Sequence, residues 1–126
     1  MPTKKSSILL VEDDKMIVQM YQLRLEEEGF EVFSTDKGTE ALAWAKEHQP
    51  DLVLLDIILP EVDGFTILQQ LKSDQSTKKI PVLLLTNLAQ ETDRQRGIEL
   101  GAEEYFVKSQ HTPADIMETV RTLIKK

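Results

Sequence analysis

The 126-residue sequence contains no cysteine, and several other features are scarce or absent. Without cysteine there can be no disulfide, no thiolate metal site and no cysteine nucleophile. No apolar run approaches the roughly 20 residues that a membrane-spanning helix needs, and the apolar stretch near the N-terminus is too short for a signal peptide. We therefore expect no membrane association, and a cytoplasmic location fits.

Basic residues are also fewer than acidic ones. Fifteen basic residues against 22 acidic ones give a net charge of −7. A nucleic-acid-binding domain normally carries a basic patch, whereas the basic residues here are scattered, so we expect no direct contact with nucleic acid. The length suits one domain with one core, which we place at 7–126 after an N-terminal tail at 1–6.

Strand-like apolar runs alternate with helical patterns along the chain. The five candidate strands are ILLVE (8–12), EVFST (31–35), DLVLLD (51–56), PVLLLT (81–86) and EYFVK (104–108). The first, third and fourth are apolar on both faces, which is typical of parallel strands covered by helices. Strict alternation with short connections predicts a doubly wound parallel α/β sheet.

The helical segments carry their own boundary signals. The first helix has an apolar stripe at i, i+3, i+4 and i+8, formed by Ile17, Met20, Tyr21 and Leu25. The second helix is predicted at 39–48, the third begins near Gly64, and the fourth spans about 90–100. The last helix opens with Thr112 as its N-cap and Pro113 at its first position.

The residues at the carboxyl ends of the strands are the candidate site residues, because ligands bind there in such sheets. They are Glu12, Asp13 and Asp14 after the first strand, Asp56 at the third, Thr86 at the fourth and Lys108 at the fifth. If the strands are neighbours, these groups meet in one cleft. Asp14 is better explained as the N-cap of the first helix than as a ligand.

A cluster of carboxylates needs a compensating charge. Two carboxylates about 5 Å apart repel by roughly 3 kcal/mol at an effective dielectric constant near 20, so three must take up protons or hold a cation. Oxygen ligands favour Mg²⁺, which pairs readily with phosphate. Aspartate can act as the nucleophile in aspartyl-phosphate chemistry, and Thr86 and Lys108 could then hold the phosphoryl oxygens.

Four motifs together resemble the receiver domain of bacterial two-component response regulators, over residues 7–125: LLVEDD, LLDIILPEVDG, LLLTN and YFVK. The resemblance implies a single (βα)5 flavodoxin-like domain with strand order 2-1-3-4-5. It implies that Asp56 is the phosphoacceptor. It also implies that Asp13, Asp56 and the backbone carbonyl of Ile58 bind Mg²⁺ directly, while Glu12 acts mostly through water.

The same resemblance implies a two-state switch. A histidine kinase or histidine phosphotransfer protein would supply the phosphoryl group, which Thr86 and Lys108 would contact. Thr86 would shift toward the phosphoryl oxygens, and Tyr105 would swing into the space that it vacates. The face formed by the fourth helix, fifth strand and fifth helix would then bind or release an unidentified protein, and the resemblance also allows phosphorylation-dependent dimerisation.

Two features depart from the family pattern. Ser109 follows Lys108, where the family usually has a proline after a cis peptide bond, and this leaves the isomer of the bond open. Ile58 and Leu88 occupy the positions that border the water that attacks the acyl phosphate in the family. Two apolar side chains there predict slow autodephosphorylation.

Three alternatives compete with a stand-alone receiver. A phosphatase of the haloacid dehalogenase type needs a second aspartate two residues after the nucleophile, where Ile58 stands, and usually a cap domain. A flavodoxin-like FMN protein needs a Ser/Thr/Gly-rich loop after the first strand, where the sequence is EDDK. A receiver excised from a longer regulator or hybrid kinase is the third, although the initial Met and the ending IKK favour a stand-alone receiver. We expect no enzymatic activity beyond self-phosphorylation and autodephosphorylation.

Overall fold

The computed structural model describes residues 5–125 and contains one five-stranded parallel sheet. Its strands are β1 (Ser7–Val11), β2 (Glu31–Thr35), β3 (Leu52–Leu55), β4 (Val82–Thr86) and β5 (Glu104–Val107), in the order β2-β1-β3-β4-β5. The predicted order and parallel direction are confirmed, and each strand ends within one residue of its predicted bounds. Residues 1–4 of the predicted tail, and residue 126, lie outside the described residues.

Five α-helices connect and follow the strands. They are α1 (Lys15–Glu27), α2 (Ala41–His48), α3 (Gly64–Ser73), α4 (Glu91–Glu99) and α5 (Pro113–Lys125), and a short 3-10 turn precedes α2. The Asp14 side chain accepts the backbone N–H groups of Met16 and Ile17, so it is the N-cap of α1 as predicted. Thr112 caps α5 by accepting the backbone N–H of Asp115. Among the described helices, none is long and apolar enough to cross a bilayer.

The core lies on both faces of the sheet. Every residue of β1, β3 and β4 is buried, as their continuous apolar character predicts. One buried cluster joins alternate strand residues to α2 and α3, and the other joins the remaining strand residues to α1 and α5. Because helices cover both faces, a ligand can approach the sheet only at the ends of its strands.

The predicted apolar stripe of α1 is wrong at one position. Tyr21 and Leu25 are buried and Ile17 packs against the same cluster, but Met20 is 40% exposed. Ile17, Tyr21 and Leu25 follow a spacing of four residues and therefore share the face turned to the sheet. Met20 precedes Tyr21 and lies about 100° around the helix axis from it, which turns its side chain toward solvent.

Candidate functional site

The site lies where the strand order reverses, between β1 and β3. Val11 and Leu55 are partners in this pair of strands, and the backbone N–H of Asp56 donates to the carbonyl oxygen of Val11 at 3.0 Å. The residues that follow the two strands, Glu12 and Asp56, are therefore brought side by side. This is the switch point at which ligands bind in open α/β sheets.

Lys108 joins these two carboxylates from the other side of β4. Its Nζ lies 2.5 Å from Oε1 of Glu12 and 3.1 Å from Oδ2 of Asp56. Glu12 and Asp56 are both buried, with 2% and 5% exposure, and the Lys108 side chain is 12% exposed. The ammonium group thus makes charge-assisted hydrogen bonds to two buried acids at once.

Burial and charge act in opposite directions on these groups. Burial raises the pKa of Glu12 from 4.5 to about 7, against the lowering effect of the Lys108 hydrogen bond and with a further rise from the negative charge of Asp56. Burial alone would lower the pKa of Lys108. The hydrogen bond to Glu12 and the charges of both acids outweigh burial and raise it. Lys108 therefore stays protonated, and Glu12 is the group that most readily takes up a proton.

The carboxylates form a donor set that fits a hard divalent cation. One oxygen from each of Glu12, Asp13 and Asp56 lies within 4.8 Å of the others. Three carboxylates and one ammonium leave a nominal charge of −3 + 1 = −2 when all are ionised. Oxygen-only ligands with this charge suit Mg²⁺, which keeps several waters of its own.

A cleft of about 200 Å³ surrounds this cluster. It is lined by Glu12, Asp13, Asp14, Ile17, Asp56, Ile58, Asn87 and Lys108. Five of these were predicted as site residues and Asp14 as the N-cap of α1, whereas Asn87 was missed and Ile17 was assigned only to the core. Asn87 could have been found from its position directly after Thr86, at the end of a buried strand.

Three other predicted site residues lie behind the cleft and do not line it. Thr86 is fully buried, and its hydroxyl oxygen is 3.4 Å from the backbone nitrogen of Leu88, from which it accepts. Tyr105 is 1% exposed, and its hydroxyl donates to the carbonyl oxygen of Leu88 at 2.8 Å. Burial, with the nearby charge of Asp93, raises the pKa of Tyr105 to about 12. The segment after β4 therefore connects the predicted switch residues.

The loop after Asp56 is held by close backbone packing. The backbone N–H of Ile58 donates to Oδ1 of Asp56 at 3.2 Å, and the N–H of Gly64 donates to the carbonyl of Ile57 at 2.8 Å. A Cβ on Gly64 would lie only 2.4 Å from the carbonyl oxygen of Asp56, so glycine is required where α3 begins. Ile58 is 54% exposed at the rim of the cleft.

The peptide bond between Lys108 and Ser109 is trans, as are all bonds within the described part of the chain. The backbone N–H of Lys108 donates to the carbonyl of Thr86 at 2.7 Å. This hydrogen bond extends the β4–β5 pairing by one residue and directs the lysine toward the acids. Lys108 therefore reaches both acids although the bond between Lys108 and Ser109 is trans.

Fold and site together define a doubly wound α/β domain with an acidic, lysine-containing cleft at its switch point. Residues 8–121 match the response regulator receiver domain family. The chain belongs to this family, as the sequence motifs indicated.

Relatives and solved structures agree with this assignment. The chain is 40% identical over 122 residues to RpaA, a DNA-binding dual master transcriptional regulator of a Synechocystis strain, covering 94% of this chain and 49% of RpaA. It is 37% identical to the polar-differentiation response regulator DivK of Brucella ovis, with 94% of this chain and 95% of DivK covered. The BeF3-activated receiver domain of Klebsiella pneumoniae RstA superposes with a TM-score of 0.89 at 30% identity, covering 96% and 100% of the two chains. The chain thus spans about half the length of several curated relatives and nearly all of another.

Proposed function

We propose that this domain is a phosphorylation-dependent signalling switch that accepts a phosphoryl group on Asp56. The folded receiver would comprise residues 7–126 after the tail at 1–6, and it would act in the cytoplasm. The observation that carries the proposal is the grouping of Asp56 with Glu12, Asp13 and Lys108 in one cleft. A phosphatase of the haloacid dehalogenase type fits less well, because Ile58 stands where that chemistry needs its second aspartate.

The donor would be a phosphohistidine on a histidine kinase or histidine phosphotransfer protein. An Asp56 carboxylate oxygen forms a bond to phosphorus while the bond from phosphorus to the histidine nitrogen breaks, and the imidazole leaves with the electron pair. Oδ1 of Asp56 accepts from the N–H of Ile58 at 3.2 Å, and Oδ2 accepts from Nζ of Lys108 at 3.1 Å, so the carboxylate is held in a fixed orientation for the transfer. Lys108 can then turn its ammonium group to the new phosphoryl oxygens.

A divalent cation such as Mg²⁺ would be held by Asp13, Asp56 and the carbonyl of Ile58, with Glu12 acting mostly through water. When bound, it neutralises charge between the acids and the incoming phosphoryl group. Without the cation, the nominal charge of −2 in the cleft repels anions, including the phosphoryl group of the donor. Phosphorylation should therefore require the cation.

The response to phosphorylation would pass through Thr86 and Tyr105. Thr86 would turn its hydroxyl toward the phosphoryl oxygens, which releases the backbone N–H of Leu88. Tyr105 is bonded to the carbonyl of the same Leu88, so the segment after β4 and the face of α4, β5 and α5 would change together. This face would bind or release a downstream protein, and phosphorylation selects the conformation that it contacts better.

Intact mass measurement after incubation with Mg²⁺ and acetyl phosphate tests this function. One phosphoryl adduct is expected on the wild-type domain and none on Asp56→Asn. Asp36→Asn is the matched control, because Asp36 is an exposed carboxylate near the same sheet edge. A wild-type domain without an adduct, or an Asp56→Asn variant that keeps it, would contradict the proposal.

A further inference from the structure

Helix α4 is held to the domain with little apolar burial. Its sequence is ETDRQRGIE, and its one buried residue is Gly97. Ile98, its one large apolar side chain, is 43% exposed. Since buried apolar area is the main source of helix docking energy, other contacts must fix the position of α4.

The first of these contacts is a close approach to Tyr105. A Cβ on Gly97 would lie 2.6 Å from Cδ1 of Leu84 and 3.1 Å from Cδ2 of Tyr105. The backbone of α4 therefore lies against the ring of the predicted switch residue. On the same side, Nη1 of Arg94 donates to the carbonyl oxygen of Tyr105 at 3.1 Å.

The second contact lies on the other side of the helix. The guanidinium carbon of Arg96 is 4.3 Å from the centroid of the Phe65 ring, a distance at which a cation is attracted to the face of the aromatic ring. Phe65 belongs to α3 and is only 4% exposed. Arg96 therefore connects two helices that approach the site from different strands.

Phe65 is directly connected to the phosphoacceptor loop. It follows Gly64, which is packed so closely that a Cβ there would meet the carbonyl oxygen of Asp56 at 2.4 Å and the Cα of Ile57 at 2.6 Å. Any shift of the peptide after Asp56 must therefore move Gly64, and with it Phe65. Backbone packing connects Asp56 to Phe65, and the exposed Arg96 side chain makes the last contact, to helix α4.

We propose that Arg96 is a positioning residue that couples the loop after Asp56 to helix α4 through the face of Phe65. While the guanidinium covers the ring, α3 and α4 hold one relative position. A change in the loop on phosphorylation is then passed to α4 independently of Thr86 and Tyr105. This inference rests on the proposed function, because it assumes that Asp56 accepts the phosphoryl group.

Amide hydrogen exchange in α4, measured by mass spectrometry with and without phosphorylation, tests the coupling. In the unphosphorylated Arg96→Gln variant, we expect the amides of α4 to exchange about two- to fivefold faster, the factor that an exposed cation–π contact represents. Arg96→Lys keeps the charge but loses the planar stack and should be intermediate. Arg24→Gln changes an exposed arginine on α1, for which the described residues offer no ion pair, and should match the wild type.

The functional readout is the change in α4 exchange that phosphorylation causes. It should fall to less than half of the wild-type change in Arg96→Gln, although the adduct on Asp56 still forms. An Arg96→Gln variant with the full wild-type response would overturn the coupling, as would unchanged basal exchange in α4. Absence of the adduct from the wild type would instead refute the proposed phosphoacceptor, so the two failures are distinguishable.

Discussion

The buried acid Glu12 makes the stability of the domain depend on pH in a direction unusual for a carboxylate. Burial is the largest cause that raises its pKa from 4.5 to about 7. The folded state therefore binds a proton more tightly than the unfolded state does. Between pH 4.5 and 7 the folded state carries more protons, and the contribution of Glu12 to stability declines as the pH rises.

Replacing Glu12 by Gln isolates this contribution. Gln keeps a carbonyl oxygen that can accept from Nζ of Lys108, but it cannot ionise. A pKa raised from 4.5 to about 7 corresponds to about 3 kcal/mol, since a tenfold change in proton affinity is about 1.4 kcal/mol. The unfolding free energy of Glu12→Gln minus that of the wild type should therefore rise by about 3 kcal/mol between pH 4.5 and pH 8.

Urea unfolding in EDTA, followed by circular dichroism at several pH values, measures this difference. Glu118→Gln, an exposed change on α5, is the control and should give a flat difference. Added MgCl2 should reduce the rise, because a cation in the cleft favours the ionised carboxylate. The unfolding free energy of Glu12→Gln minus that of the wild type could instead stay constant or fall as the pH rises. Ionisation of Glu12 would then cost little in the folded state, and the effect expected from burial would be refuted.

Three further substitutions test the loops around the site. Gly64→Ala should destabilise the domain by about 1–3 kcal/mol, because the new Cβ meets the backbone of Asp56 at 2.4 Å; unchanged urea midpoints would contradict this. Tyr105→Phe should cost about 1 kcal/mol by leaving the partly buried carbonyl of Leu88 without its 2.8 Å donor, and equal stability would mean that water replaces it. Ile58→Asn should speed loss of phosphate in an intact-mass time course, because an amide can orient the attacking water, whereas an unchanged half-life would reject a role for Ile58.

Much of the fold can be predicted from the positions at which apolar strand segments give way to polar residues. The strands β1, β3 and β4 are apolar on both faces, which only a sheet covered by helices satisfies. Each of them ends in, or is followed by, a polar residue, and ligands bind at the carboxyl ends of the strands in such sheets. The same position, at the carboxyl end of a strand, applies to Lys108 after β5. The sequence therefore predicts that Glu12, Asp56 and Lys108 share one cleft.

The contacts among these residues could not be predicted in the same way. The ion pair between Lys108 and Glu12 joins residues 96 positions apart, and the isomer of the bond between Lys108 and Ser109 was open from the sequence. Met20 was predicted in the core because an apolar spacing of three or four residues fits more than one face of a helix. Packing against the sheet decides which of these faces is buried. The Arg96 contact was not visible either, since arginines on a polar helix usually face solvent.

Helices α3 and α4, which follow the strands that end near the site, are held in different ways, and this difference has a consequence for signalling. Helix α3 buries five residues and begins at Gly64, so its start is fixed to the backbone of Asp56. Helix α4 buries only Gly97 and depends on Arg94 and Arg96 for lateral contacts. A displacement of the backbone at Asp56 should therefore move the start of α3, while the weaker docking of α4 makes it the helix that can change position in response. Rigidity next to the phosphoacceptor and weak docking of α4 together allow a local charge change to alter a distant surface.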